Sequence, residues 1–203
     1  MSYDEHDAAM DAFYDDIREQ FYPEAISEFT ADRLKSFYVI HPNVMRPAVD
    51  ALQEGKVLRE MKHYSAAVVF FVSAIELLLK AALLKPVVYG LVHHEALADI
   101  IVQHALGQAG FDRYEGLLAN LILTFANMNL KEICRNDSPT KLLTECTQLQ
   151  KLRNQIIHQG ARCNETDAEK AHHVSVAVYE LIVRPMLYAL KLTVEEKGVI
   201  KPV

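Results

Sequence analysis

Glycine and proline are scarce, seven of each in 203 residues, which excludes a collagen-like repeat and a loop-dominated, low-complexity chain. Cysteine is scarcer still. Cys134, Cys146 and Cys163 are odd in number and lack close pairing, so a disulfide scaffold, a zinc knuckle and a redox motif are excluded, and free thiols in a reducing cytosol are expected. Basic residues are not in excess: 21 Lys and Arg stand against 27 Asp and Glu, for a formal net charge of −6. That argues against a strongly basic nucleic-acid coat protein, although overall charge leaves room for a local basic site. The longest apolar run, Tyr64 to Ile75, stops at Glu76, short of the ~20 residues that span a membrane. The first residues, MSYDEHDAAMDAFYDD, are acidic, unlike the basic or apolar leaders that direct export. A cytoplasmic chain with no membrane association is the expectation. No phosphate-cradling glycine loop, dinucleotide fingerprint or His-Glu-x-x-His motif occurs. His93-His94-Glu95 and His172-His173 invite a metal, but neighbouring histidines on a helix point ~100° apart and rarely share one ion. Neither a cofactor nor a metal site is expected, and Cys146 and Cys163 have no context for nucleophilic catalysis beyond the nearness of Cys163 to His158 in sequence.

What remains is helix. Half the residues are hydrophobic and a quarter charged, the balance of one compact domain that can bury roughly 70% of its unfolded surface. Ser2 and Glu5 have capping-box spacing for a first helix reaching about Phe21, before Pro23. Residues 30–47, with Pro42 and Pro47, read as a loop or short-helix connector. A second helix from Arg46 carries Val49, Leu52, Val57 and Met61, weakened by Gly55. The third, Tyr64 to Leu84, is apolar almost all round, the mark of a helix at the centre of a bundle, and Lys85-Pro86 should stop it. Shorter helices are expected near Glu95 to Leu106 and Asp112 to Met128. Ser138 as N-cap with Pro139 at the first helical position starts a helix reaching His158 and ending at Gly160. Thr166 and Glu169 have capping-box spacing for a last helix to about Leu192, kinked at Pro185. The fold class is all-α, an antiparallel helical bundle over 46–195, with an N-terminal helical extension and connector over 1–45 and a tail over 196–203.

The helix from Pro139 carries the chemistry. Leu142, Cys146, Leu149, Leu152 and Ile156 make one apolar stripe, and Arg153 falls within it. An arginine there needs a carboxylate, a phosphate or a wet groove, because an unpaired buried charge costs several kcal/mol; alternatively it snorkels past its neighbours. Asn154 and His158 lie one turn apart on one face. His158 occupies the last turn before Gly160, where a cationic ring is favoured by the helix dipole. By itself that describes a capping histidine as well as an acid or base. On the third helix, Ser65, Ser73, Glu76 and Lys80 form a narrow polar strip. This strip is either a solvated face with a Glu76–Lys80 pair or a set of groups facing Arg153 across a groove, with Glu76 holding its guanidinium.

Arg153-Asn154-Gln155-Ile156-Ile157-His158, followed by Gln159-Gly160, resembles the Arg-polar-x-x-x-His signature of the HEPN superfamily of small helical bundles (higher eukaryotes and prokaryotes nucleotide-binding domains). AAVVFFVSAIELLLKAALLKP at 66–86, with Glu76 and Lys80, resembles the long central helix of the same domains. The likeness covers roughly 46–192, and residues 1–45 have no counterpart. It implies a metal-independent endoribonuclease that leaves 2′,3′-cyclic phosphate and 5′-hydroxyl ends, with Arg153, His158 and Asn154 catalytic and Glu76 and Lys80 behind them. Arg162 would hold RNA phosphate, and Lys141 and Lys151 are weaker candidates for the same basic patch. Arg153 and His158 lie about 140° apart around an ideal helix, so the resemblance also implies a homodimer whose two motifs build one composite site. A toxin or defence effector with an antitoxin-like protein partner fits that reading. The alternative is a non-catalytic HEPN-like module binding a nucleotide, RNA or protein in the same groove.

Overall fold

The computed structural model describes residues 29–92, 100 and 111–203. The helix expected from Ser2 lies outside these residues, as does the one near Glu95 to Leu106 apart from Ile100. The described chain is mostly helical, as the sequence predicts, with a single two-stranded sheet. Helix α1 covers 29–40 and α2 covers Arg46–Glu60. Helix α3 begins as Tyr64–Glu76, passes through wide π turns over Leu77–Leu84 and continues as Lys85–Leu91. Helix α4 is Phe111–Ala126 and α5 is Leu142–Gln159. Helix α6 begins as Glu165–Val178, widens over Tyr179–Val183 and ends as Arg184–Ala189. Strands β1 (Leu192–Val194) and β2 (Ile200–Pro202) pair antiparallel.

Helix α3 is the axis of the bundle. It packs against α2, α5 and α6, and its π segment meets α4. Val68, Phe71, Val72, Ile75, Leu79, Leu83 and Leu84 are buried along it, which accounts for a sequence apolar on nearly every side. The stretch Tyr64–Tyr89 is long and apolar enough to cross a membrane by length and composition, yet most of its most apolar window is buried inside the bundle. Two hydrogen bonds fix the register of α3 against α5. The Gln150 amide donates to Glu76 at 2.9 Å, and the Cys163 N–H donates to the Ser65 hydroxyl at 2.9 Å. Moving forward along α5 therefore moves backward along α3, so the pair is antiparallel.

Pro86 does not stop α3. Proline has no N–H for the carbonyl four residues earlier, and its ring crowds that carbonyl. Here that group is the Ala82 carbonyl, which lies within the wide turns and receives the Tyr38 hydroxyl at 2.6 Å. Tyr38 is fully buried and its burial pushes the phenol well above its ordinary range, so it remains a donor. Pro185 repeats the pattern, with wide turns over Tyr179–Val183 just before it. The two widened segments pack on each other in the core.

The segment expected as a connector, 30–47, is thus partly a core element: α1 supplies Leu34 and Tyr38. Helix α5 starts at Leu142 rather than at Pro139, because the Cys134–Lys141 bridge and the Leu142 N–H to Ile133 carbonyl bond hold the preceding residues extended. The capping box of α6 is Asn164 with Asp167, not Thr166 with Glu169. Asn164 is extended and can turn its side chain onto the Asp167 N–H. The last helix ends at Ala189, short of Leu192, and residues 196–203, expected as a tail, carry β2. The hairpin docks back on the α1–α2 turn, with the Ile200 N–H bonded to the Pro42 carbonyl at 2.8 Å and Leu192 and Ile200 buried. Three-residue strands carry too little alternation to be read in a helical sequence.

Gly55 is a packing requirement rather than a weakness. A Cβ there would lie 2.7 Å from the Phe71 ring, so only glycine lets α2 approach α3 so closely. Gly55→Ala should cost about 1–3 kcal/mol through overpacking. Gly116→Ala, with nothing within 4 Å of the added carbon, should stabilise by up to about 1 kcal/mol. Urea midpoints that move in the same direction for both would refute this packing account. Tyr38→Phe should cost about 1–3 kcal/mol, because it strands the Ala82 carbonyl in the core. An unchanged midpoint would mean that the carbonyl has another donor.

Candidate functional site

Helix α5 carries the motif and is pinned at both ends. At its start, Glu145 is 2% exposed and accepts a bidentate pair from Arg135, Nε at 2.8 Å and Nη2 at 3.0 Å. Arg135 also reaches Asp137 at 2.9 Å, and the Ser138 hydroxyl donates to Glu145 at 3.2 Å. Ser138 therefore serves the buried carboxylate instead of capping a helix, and also accepts from the Thr140 N–H at 3.3 Å. A fork-to-fork pair with a further donor offsets much of the cost of burying these charges. The sequence signal for this cluster was Glu145 itself, an acid between Leu142 and Leu149 at the edge of the apolar stripe.

At its other end, α5 closes on Gly160, which has φ +68°. The Gly160 N–H bonds the Ile156 carbonyl and the Ala161 N–H bonds the Gln155 carbonyl, each at 3.2 Å. Glycine adopts this left-handed conformation without the steric penalty that a Cβ brings. The chain then turns back, is tied to Ser65 through Cys163, and enters α6. The last turn of α5, with His158, is thereby fixed against the start of α3.

Arg153 lies half-buried on α5, and its Nη1 donates to the neighbouring Asn154 side chain at 3.1 Å. Its Nε–H is buried with no hydrogen-bond partner, and no carboxylate among the described residues forms an ion pair with it. Asn154, His158 and Arg162 are exposed. Glu76 does face α5, as the polar strip suggests, but it receives Gln150, one turn before Arg153, in place of the guanidinium. Lys80 sits farther from the motif end of α5 and places its ammonium 5.3 Å from the Tyr114 ring centre of α4. Lys141 pairs with Glu132 at the start of α5, roughly 25 Å from His158 at ~1.5 Å per residue. Arg153, Asn154 and His158 thus share the last two turns, whereas Glu76, Lys80 and Lys141 have other partners.

His93, His94 and Glu95 lie outside the described residues. Among the described residues, no three or more His, Cys, Asp or Glu side chains cluster as a metal site would require. His172 belongs to a different environment, packed on the Phe71 ring at 5.1 Å with the Arg59 guanidinium 3.3 Å from Nδ1. Comparison of the chain with protein-family models, curated proteins and solved structures gives no match.

Burial, and then the charges of Arg59, Lys56 and His173, push the His172 pKa from 6.5 down to about 4, against an opposing pull from Glu169. A histidine held neutral by the fold takes up its proton first in the unfolded chain, so stability falls as pH drops from about 6.5 towards 4. The ring is only half-buried, and solvent screening reduces the effect to on the order of 1 kcal/mol. His172→Gln should therefore lose less of its urea midpoint than the parent chain between about pH 7 and about pH 4.5. Parallel losses would show that other groups control the acid limb.

Proposed function

We propose that the chain is an HEPN-type metal-independent endoribonuclease acting as a two-fold dimer. The observation that carries this reading is Arg153. In a chain with more acidic than basic residues, this half-buried arginine has no carboxylate partner among the described residues and retains a buried Nε–H with no acceptor. Its one side-chain hydrogen-bond partner among the described residues is the neutral Asn154. A guanidinium so placed suits an anion from outside the chain, and its donor fork matches the non-bridging oxygens of a phosphate.

Histidine is the side chain best suited to both giving and taking a proton near neutral pH. In the proposed reaction the His158 of one copy removes the proton of the ribose 2′-hydroxyl, whose oxygen then bonds to phosphorus. The bond from phosphorus to the 5′-oxygen breaks, and the His158 of the other copy gives that oxygen a proton. The products are a 2′,3′-cyclic phosphate and a 5′-hydroxyl. Arg153 stabilises the charge that gathers on the phosphate oxygens as the bonds change, and Asn154 keeps its guanidinium in position.

The second copy is needed because Arg153 and His158 diverge by about 140° around α5. The register with α3 provides a surface for it. Ser65 opposite Cys163 and Glu76 opposite Gln150 bring Ile157 level with Phe70. These two apolar side chains are 49% and 37% exposed, beside the motif and suited to face their own copies across a two-fold axis.

The test is cleavage of a mixed RNA pool in EDTA. Loss of at least a hundredfold in both His158→Ala and Arg153→Ala, with helicity intact by circular dichroism, is expected. Glu76→Gln should retain most of the activity, since Glu76 engages Gln150. Cleavage that survives both motif substitutions would refute the proposal. No cleavage by a folded, dimeric parent chain would move the reading to the non-catalytic module that binds RNA, nucleotide or protein in this groove.

A further inference from the structure

Beneath the C-terminal hairpin lies a cavity of about 260 Å³, between α2, α3, α6 and the turn that joins β1 to β2. Val49 and Leu52 of α2, Leu78 of α3, Val176 of α6 and Val194 of β1 give it mostly apolar walls. Leu78 and Tyr179, which also line it, belong to the two widened helical segments. A wide turn carries an extra residue and shifts the side chains after it out of α-helical register, and such turns are frequent at functional sites. The hairpin turn forms the opposite wall and is pressed onto α2, since a Cβ on Gly198 would lie 2.8 Å from Val49. The Glu195 N–H bonds the Val199 carbonyl at 2.8 Å, and the Gly198 N–H bonds the Glu195 carbonyl at 3.2 Å. Lys197, inside this turn, is held in the left-handed region at φ +59°, a conformation that a residue with a Cβ keeps only where its surroundings fix it.

The polar side chains of the lining are of two kinds. Ser175 and Glu195 are already engaged: the Ser175 hydroxyl donates to the His172 carbonyl at 2.7 Å, and Glu195 pairs with Lys201 at 2.5 Å. The Tyr179 hydroxyl and the Lys197 ammonium have no hydrogen-bond or ion-pair partner among the described residues. Tyr179 is half-buried, and burial pushes its phenol up, so it stays a donor. Glu195 and Lys197 are exposed and mark the open side. With Glu195 neutralised by Lys201, and Glu196 of the same turn outside the lining, the charge left at the opening is that of Lys197. One cation and one neutral donor match the two oxygens of a carboxylate, whereas a phosphate dianion would keep a charge without a partner. The apolar walls favour a hydrocarbon body behind that head group. A dry cavity of ~150 Å³ holds benzene, so about 260 Å³ accommodates an aromatic ring with a short chain.

We infer that this cavity is a binding site for a small monocarboxylate with an apolar body, of the aryl-alkanoate kind. The body lies among Leu52, Leu78 and Val176, and the carboxylate receives Lys197 and the Tyr179 hydroxyl. No residue of α5 is among the described lining residues, so the inference stands or falls independently of the ribonuclease reading.

Isothermal titration of the full chain with phenylbutyrate, phenylbutanol and acetate, at two temperatures, tests it. Phenylbutyrate should bind, phenylbutanol at least fivefold more weakly because it lacks the charge, and acetate at least tenfold more weakly because it lacks the body. Lys197→Gln and Tyr179→Phe should each weaken phenylbutyrate at least threefold. Lys197→Gln should leave phenylbutanol unchanged, which separates the loss of charge from a disturbed turn. Arg153→Ala should leave all three ligands unchanged. Absence of binding by millimolar phenylbutyrate would overturn the proposal. Acid and alcohol that bind equally, or a Lys197→Gln chain that weakens both alike, would overturn it by removing the carboxylate from Lys197. Acetate that binds as tightly as phenylbutyrate would remove the apolar body from the cavity. The three-ligand comparison on the parent chain decides the question even where a variant folds poorly.

Discussion

The structure depends on a long apolar helix continuing through a proline. Pro86 leaves the Ala82 carbonyl without its usual donor in the middle of the core, and an unpaired polar group there costs as much as a good side-chain contact contributes. Tyr38 supplies the missing hydrogen from α1. This bond explains why α1 is part of the core, why the turns before Pro86 can be wide, and why α3 runs on to Leu91. It also sets the distance between α1 and α3, and hence the opening between Phe37 and Tyr89. The turn that follows α1 receives the C-terminal hairpin through Pro42, so first and last described elements close around the same feature.

The second constraint acts on α5, whose apolar stripe is too modest to hold both of its ends by packing alone. Polar bonds at its termini hold them. The Arg135–Glu145 pair fastens the start, and Gly160, Cys163 and Ser65 fasten the end. Breaking either partner of the buried pair would leave a charge in the core, which is the costly event; the pair itself contributes less than its Coulomb energy suggests. Its service is positional. It sets where α5 begins, and so where Arg153 and His158 stand relative to α3.

Much of this was legible in the sequence, for physical reasons that differ from element to element. The all-round apolar pattern of Tyr64 to Leu84 marks a central helix because only burial accounts for it, and the structure buries it. Gly160 was legible as a helix end because its left-handed conformation is what glycine is used for. The proline signals misled at Pro86 because sequence rules count the lost hydrogen bond but cannot see a tyrosine that replaces it. Ser138 misled because its hydroxyl had a competing acceptor in Glu145. Gly55 was legible as a helix weakness, whereas its value lies in contact with Phe71, a residue remote in sequence. At the candidate site, Arg153 was legible as an arginine facing the wrong way for a solvated charge. Gln150 as the partner of Glu76 was not, because two helices must first be aligned before their side chains can be matched.

Arg153 has no carboxylate partner among the described residues, although carboxylates outnumber cations in the chain. The ion pairs among the described residues form elsewhere. Glu145 and Asp137 hold Arg135, Glu132 holds Lys141, Glu180 holds Arg184 and Glu195 holds Lys201. These pairs lie before and at the start of α5, within α6 and on the hairpin, and none of them includes Arg153. The exposed pairs among them add little stability, and none of them takes up Arg153. Local field rather than net charge governs where an anion settles, so a net charge of −6 does not bar an anion from Arg153.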